Sequence, residues 1–295
     1  MADALVEAGN RVIILDDLSS GRRENVHPEA ELHVLDIRSP EAADLLRNSG
    51  VEILVHHAAQ MDVRRSVADP RFDADVNIGG LINLLEAGRQ GALRQVVFAS
   101  TGGAIYGEQD VHPADEEHPQ RPVSPYGVSK LAGERYLYFY HHEYGLDVTC
   151  LRYANVYGPR QNPHGEAGVV AIFLDRLLRG EQPTIHGDGL QTRDYVYVGD
   201  VVAANLAAVG LDGFRIYNVG TGIETDVNTL YEGLRKALGS PIRAVHGPAK
   251  PGEQRRSSIT AAKLERELGV RIATPLEEGF RITAEWFAER ARAKK

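Results

Sequence analysis

Tyr126 and Lys130 stand four residues apart in SPYGVSKLAGERY (124–136), a spacing that puts both on one face of a helix. A phenol is a poor base at neutral pH, because its unperturbed pKa is about 10. An ammonium one helical turn away stabilises the phenolate and lowers that value. Such a pair can take a proton from an alcohol. Pro125 suits the first turn of the helix that would carry it. Upstream, VVFASTGGAIYGE closes a strand-like run with Ser100 and Thr101, and a hydroxyl there can relay a proton between a substrate and the phenolate. Downstream, LRYANVYGPR brings Asn155 and a glycine turn after the next strand-like run. Each signal is weak alone. Y-x-x-x-K arises by chance on surfaces, and strand-end hydroxyls commonly bond backbone.

The elements that must position these residues are legible from periodicity. The runs at 11–16, 31–36, 52–58, 94–100 and 147–153 read as strands, and their near-continuous apolar character implies burial on both faces, as in a parallel sheet. Helical patterns fall at 40–48, 73–90 and 125–144. This alternation predicts an α/β fold with a doubly wound parallel sheet of the Rossmann type. Beyond residue 157 glycine and proline become frequent. Helices are expected at about 168–179, 199–209, 226–238 and 276–292, and a strand at 214–220. The expected division is a nucleotide-binding domain over 1–157, with a returning segment at about 192–222, and a smaller α/β substrate-binding lobe over 158–295.

The chain opens on MADALVEAGNRVIILDDLSSG, which reads as a helix, a glycine stop, a strand and an acidic turn. A dinucleotide fold begins one step earlier, with a strand and a glycine-rich turn that hold the pyrophosphate at a helix N-terminus. Neither G-x-G-x-x-G nor G-x-x-G-x-x-G occurs between a strand and a helix. The expectation is therefore that roughly 20 residues of the usual unit are absent ahead of Met1, through truncation or a misassigned start rather than genuine loss of the loop. The sheet is then expected to lack a central strand, leaving the strand at 11–16 beside a gap. Asp16 ends that strand, where a carboxylate can bond the adenosine ribose hydroxyls and disfavours a 2′-phosphate, so that NAD is preferred over NADP. A cationic nicotinamide would further stabilise a Tyr126 phenolate, and Lys130 can also hold the nicotinamide ribose.

At this point the sequence resembles the extended short-chain dehydrogenases/reductases, and within them the NAD-dependent nucleotide-sugar epimerase/dehydratase family. The likeness is greatest to its UDP-glucose 4-epimerase branch. It spans the whole chain and is carried jointly by LDDLSSGRRENV, HHAAQ, VNIGGLINLLEA, FASTGGAIYG, SPYGVSK, LRYANVYGPR, GDGLQTRDYVYVGDV, NVGTG and KPGEQRRS. The resemblance implies a catalytic trio of Thr101, Tyr126 and Lys130, with Ser100 as the competing hydroxyl. It implies that Asp16, Asp36, Ile37, Ala58, Ala59, Gln60 and Asn77 line NAD beside Tyr126 and Lys130. It implies that Asn155, Arg193 and Lys250, with Thr101, contact a UDP-sugar. Many relatives carry arginine where Lys250 stands, so paired phosphate contacts there are in question. Ser257 falls where relatives bound the sugar's 2-substituent, and its small side chain leaves room for an N-acetyl group.

The implied reaction is inversion at C4 through transient oxidation to a 4-keto sugar. A 4,6-dehydratase commonly has an Asp-Glu pair after the threonine, whereas Gly102 and Gly103 follow Thr101 here. A 3,5-epimerising reductase typically wants a cysteine and a histidine, and the single cysteine, Cys150, lies inside a predicted strand. The alternatives left open are another NAD-dependent nucleotide-sugar enzyme (dehydratase, decarboxylase or reductase) or an impaired nucleotide-sugar binding protein lacking the glycine loop.

The remaining features exclude other classes. A net charge of −8 over 295 residues argues against a nucleic-acid partner. No apolar run approaches the ~18 residues of a membrane span, the N-terminus is not a signal peptide, and one cysteine permits no intrachain disulfide; a cytoplasmic protein is expected. His56 and His57 diverge on a strand, His141 and His142 diverge on a helix, and no metal is expected. The aromatic run YLYFYHHEY (136–144) suits either the core or a dimer seam. The resemblance implies a homodimer formed by this helix and the one at 73–90.

Overall fold

A computed structural model describes residues 1–163, 168–249 and 254–293. The chain divides into two units. Unit 1 comprises Met1–Ile105, Pro122–Arg152 and Val202–Tyr217; unit 2 comprises Tyr106–Arg121, Tyr153–Val201 and Asn218–Lys295. The returning segment is therefore 202–217 rather than about 192–222, and 106–121 belongs with unit 2. The reason lies in pairing. The strand at Thr192–Tyr197 joins a separate small sheet, and Tyr106 and Ala114 hydrogen-bond to Asn218 and Ser258 of the same unit.

Unit 1 begins with α1 (Ala2–Glu7), β1 (Ile13–Asp16) and β2 (Glu31–Val34), then α2 (Pro40–Asn48) and β3 (Ile53–His56). Helices α3 (Val63–Ala68) and α4 (Pro70–Ala74) lead through a π-turn, Asp75–Gly79, into α5 (Gly80–Gly88). Strand β4 (Gln95–Thr101), the short α6 (Gly102–Ile105), α7 (Pro125–Tyr144) and β5 (Asp147–Tyr153) follow. The helix expected over 73–90 is thus broken by a π-turn, where the wider i→i+5 ring re-aims side chains.

The sheet of unit 1 is split. β1 and β2 form a parallel pair in register Ile13↔Glu31 to Asp16↔Val34, while β3, β4 and β5 belong to a four-stranded sheet ending in β9 (Phe214–Val219). Among the described residues no strand bridges β1 and β3. Side chains hold the two sheets in one body. Leu15 from β1 and Leu54 from β3 pack against the same buried cluster of Ile37, Ala42, Ala43, Leu46, Leu84 and Ala87.

Helix α7 is seated by its sequence. Ser124 caps it by accepting from the Gly127 N–H at 3.2 Å, Pro125 opens it, and Gly145 ends it in the left-handed conformation. Two glycines set its depth. A Cβ on Gly127 would lie 2.8 Å from the Ala104 carbonyl oxygen, and one on Gly133 would lie 2.9 Å from the Phe98 ring. Leu137 and Tyr140 continue this buried face, and both pack with Val96, Phe98, Val148 and Cys150 of β4 and β5. The aromatic run therefore divides: Tyr140 is core, while Tyr136, Tyr138, Phe139 and Tyr144 are exposed.

Unit 2 contains β6 (Asn155–Tyr157), α8 (Val169–Leu178), β7 (Thr184–His186), β8 (Thr192–Tyr197) and α9 (Val198–Ala208), which runs on into unit 1. After β9 come β10 (Glu224–Asp226), α10 (Val227–Ala237), β11 (Val245–Gly247), α11 (Ala262–Leu268) and α12 (Leu276–Ala293). β8 lies between β10, antiparallel, and β6, parallel; β7 pairs with β11. Its core gathers Tyr157, Phe173, Leu174, Tyr231 and Phe280 between α8, α10 and α12. Among the described residues no helix is long and apolar enough to cross a membrane.

Candidate active site

Strand β4 delivers its last three residues to α7. Ser100 and Thr101 meet α7 at different turns, Ser100 at Glu134 and Thr101 at Tyr126. Ser100 is buried and donates to Glu134 Oε1 at 2.6 Å. Thr101 stands close enough to the Tyr126 phenol to oppose the rise of its pKa. The Ser100 hydroxyl is thereby committed to Glu134. One turn along α7, the buried Lys130 donates from Nζ to the Ala99 carbonyl at 2.8 Å and lies 4.9 Å from the centroid of the Phe98 ring. Phenol, hydroxyl and ammonium therefore all converge on residues 98–101.

The electrostatics follow from burial. Desolvation, then the nearby Asp73 charge, raise the Tyr126 pKa to about 12, against which Thr101 works. Desolvation lowers Lys130 to about 8, while Asp73 and Glu134 oppose that fall. The lysine is therefore charged at neutral pH and the tyrosine protonated. His56, at the end of β3, is pushed down to about 3 by burial and by Lys130, so it adds no charge.

Behind the pair lies a buried ion pair that spacing arguments pass over. Arg152 on β5 donates to both oxygens of Glu134, at 2.9 and 2.7 Å. Glu134 is 1% exposed and Arg152 0%. A signal is present in SPYGVSKLAGERY itself, since Glu134 follows Lys130 by one turn. A second residue of this kind is Asp73, fully buried on α4. It accepts from Gln60 Nε2 at 3.0 Å, Asn77 Nδ2 at 3.1 Å and Ser129 Oγ at 2.6 Å.

The residues expected to line NAD sit in unit 1 but differ in availability. Asp16, at the tip of β1, accepts one backbone hydrogen bond, from Leu18 at 2.7 Å. The loop folds back so closely that a Cβ on Gly21 would lie 2.8 Å from its carboxylate. Asp36 is gripped by the Arg38 guanidinium, which holds its pKa below the usual carboxylate range. Ile37 is buried against Gly80, where a Cβ would meet it at 2.5 Å. Ala58 and Ala59 are half-buried after β3. Gln60 and Asn77 clamp each other, with Gln60 N–H to Asn77 Oδ1 and Asn77 Nδ2 to the Gln60 carbonyl, both at 2.9 Å. Their polar groups shape the loop at 58–62 and are engaged with protein.

The donor set fits the nucleoside ends of a dinucleotide. Asp16 keeps acceptor capacity for paired ribose hydroxyls, since an ionised carboxylate offers about four lone-pair sites. An ammonium and a phenol stand together at the other strand end. A glycine turn for the pyrophosphate has no counterpart among the described residues.

In unit 2, Asn155 is half-buried on β6. Arg193, on β8, donates to the Thr192 carbonyl at 2.7 Å. Ser257 is buried, between Arg256, which is paired with Glu224, and the strap that Ser258 forms with Gln109. Lys250 lies outside the described residues. Among the described residues no cluster of three metal-ligating side chains occurs.

Comparison with known proteins adds three findings. The family described as NAD dependent epimerase/dehydratase matches residues 1–220. A protein of Methanocaldococcus jannaschii named "Putative UDP-glucose 4-epimerase" is 44% identical over 292 residues, covering 99% of this chain and 95% of its own length. Among solved structures, a UDP-glucose 4-epimerase with UDP-glucose from Thermotoga maritima has a TM-score of 0.93 at 44% identity, with coverage of 98% of this chain and 94% of its own. A UDP-glucose 4-epimerase of Thermus thermophilus in complex with NAD has a TM-score of 0.91 at 44% identity, covering 97% and 93%.

Proposed function

This chain belongs to the NAD-dependent epimerase/dehydratase family, and from that premise we propose that it is a UDP-glucose 4-epimerase, interconverting UDP-glucose and UDP-galactose. The observation that carries the reading is the joint seating of Thr101, Tyr126 and Lys130 on the end of β4. When bound, NAD supplies the hydride acceptor for C4 and a cationic ring beside the phenol. Asp16 and the loop at 58–60 would hold its ribose and nicotinamide ends, with Lys130 on the nicotinamide ribose. Tyr126 first gives up its own proton to solvent; as phenolate, its Oη takes the proton of the sugar 4-hydroxyl as that carbon becomes a ketone, and returns it when the opposite face is reduced. Lys130 keeps a positive charge one turn from the phenolate as it forms. Thr101 orients the phenol and the sugar oxygen between them. Asn155, Arg193 and Lys250 anchor the nucleotide diphosphate, so binding far from C4 positions the reacting atoms. The test is direct. Purified protein releases NAD on acid denaturation and equilibrates UDP-glucose with UDP-galactose; a preparation that binds UDP-sugars, releases no NAD and leaves both sugars unchanged overturns the assignment.

Ser257 extends the substrate range in this reading to UDP-N-acetylglucosamine, because a small side chain leaves space at C2. Ser257→Tyr is expected to reduce turnover of the N-acetyl sugar by at least about tenfold while sparing UDP-glucose, the cost of overpacking a filled site being about 1–3 kcal/mol. Wild-type protein that is active on glucose and inert on the N-acetyl sugar refutes this.

We further propose a cytoplasmic homodimer, with the outward face of α7 as its seam. Val128, Tyr136, Phe139 and Tyr144 are exposed on that helix, and an apolar groove opens between α4 and the Pro122–Pro125 segment. Light scattering at micromolar concentration is expected to give twice the chain mass; a monomer there removes the seam.

A further inference from the structure

Asp73 is a buried carboxylate whose hydrogen bonds, from Gln60, Asn77 and Ser129, all come from neutral side chains. Such a site is costly unless hydrogen bonds and a nearby opposite charge offset the lost hydration, and Lys130 lies within reach of its field. Three segments meet on it. Gln60 belongs to the loop after β3, Asn77 to the π-turn, and Ser129 immediately precedes Lys130 on α7. The short bond from Ser129, 2.6 Å, fixes the carboxylate beside the turn of helix that bears both Tyr126 and Lys130.

The groups around that turn leave Asp73 as its unbalanced anion among the described residues. From α7 itself comes Glu134, which is neutralised by both arms of Arg152. From the end of β3 comes His56, held neutral by burial near Lys130, and after it His57, exposed, with its pKa also pushed down near Lys130. From β4 come Phe98, Ser100 and Thr101, which carry no charge. From α4 comes Asp73, whose field reaches Tyr126 and Lys130 alike.

We propose that Asp73 is a positioning residue for the C4 reaction, the fixed negative charge against which the Tyr126–Lys130 pair is set. The proposal rests on that pair being the reacting one. A negative charge favours the proton-bound form of both partners. Removing it therefore makes the tyrosine easier to ionise and the lysine easier to deprotonate. Both consequences move the working range in the same direction, toward acid, whichever partner limits a given limb of the profile.

The test is Asp73→Asn, which keeps the shape and one accepting oxygen for Gln60 and Asn77, sets its amide against the Ser129 hydroxyl, which can turn to accept, and deletes the charge. The pH profile of kcat is expected to move bodily to lower pH by about one to two pH units, the size expected of a full charge acting over several ångströms at a buried site. Bound NAD and the circular dichroism spectrum should match wild type. Ser129→Ala, which loses one hydrogen bond and keeps the charge, should leave the profile in place even if its height falls. A profile for Asp73→Asn that keeps its position, at full or reduced height, overturns the proposal and leaves Asp73 a purely structural residue. If the Asn variant does not accumulate as folded protein, Asp73→Ser is read in the same way. Lys130→Met separates the underlying assumption: if it leaves the profile unchanged, the reacting pair is wrong, whereas a profile abolished by Lys130→Met but unmoved by Asp73→Asn faults Asp73 alone.

Discussion

Tyr126→Phe is expected to lower kcat for UDP-glucose by about 10²- to 10⁴-fold, the range for loss of a positioned general acid–base group. The substitution removes one oxygen from a side chain that Gly127 and the Ser124 cap hold in place, so the fold and KM should change little. In the free protein the phenol keeps its proton to about pH 12, because burial and Asp73 both resist its ionisation. Lys130 stays charged until pH rises through about 8, where burial has brought it. Productive catalysis therefore requires the ammonium to be present, and activity should fall on the alkaline side as Lys130 loses its proton. Steady-state kinetics across pH, with NAD content measured on the same preparations, check both statements. A Phe variant that turns over like wild type removes the phenol from the reaction.

Arg152→Met is expected to cost about 3–5 kcal/mol of unfolding free energy, the penalty for leaving a buried charge without its partner. The orphan would be Glu134, 1% exposed and left with Ser100 alone. The paired substitution Arg152→Met with Glu134→Leu should recover much of that loss, because it removes the charge that made the single change expensive. Denaturant titration of the three proteins measures this. Equal losses for the single and double variants refute the argument. The ion pair also ties β5 to α7 one turn beyond Lys130, so the single variant should lose activity beyond its loss of folded protein.

Apolar periodicity reveals the elements, and spacing draws Tyr126 and Lys130 out of the sequence as one helical pair. The strand at 147–153 and the helices at 40–48 and 125–144 coincide with the observed β5, α2 and α7. The π-turn inside the helix expected at 73–90 is invisible to this reasoning, because hydrophobic period tolerates one extra residue per turn. The boundary between units is displaced because long-range pairing, such as β8 with β6 and β10, has no local signature. Asp73 and Arg152 escape for a related reason. A buried charge on a short helix or mid-strand looks like a solvated one until its partners from distant segments are in place. Asp36 and Asn77 show the converse. Resemblance places them at the cofactor, yet their polar atoms are occupied by Arg38 and Gln60.

The divided sheet of unit 1 bears on how the protein behaves in crowded solution. β1 and β3 each end a sheet, and the sequences there, Ile13–Ile14–Leu15 and Ile53–Leu54–Val55, contain neither proline nor lysine. Unguarded edges of this composition are templates for intermolecular strand pairing. The cluster beneath them, on which Leu15 and Leu54 both pack, ties the two edges to α2 and α5, so loosening either helix leaves them freer to pair with another chain.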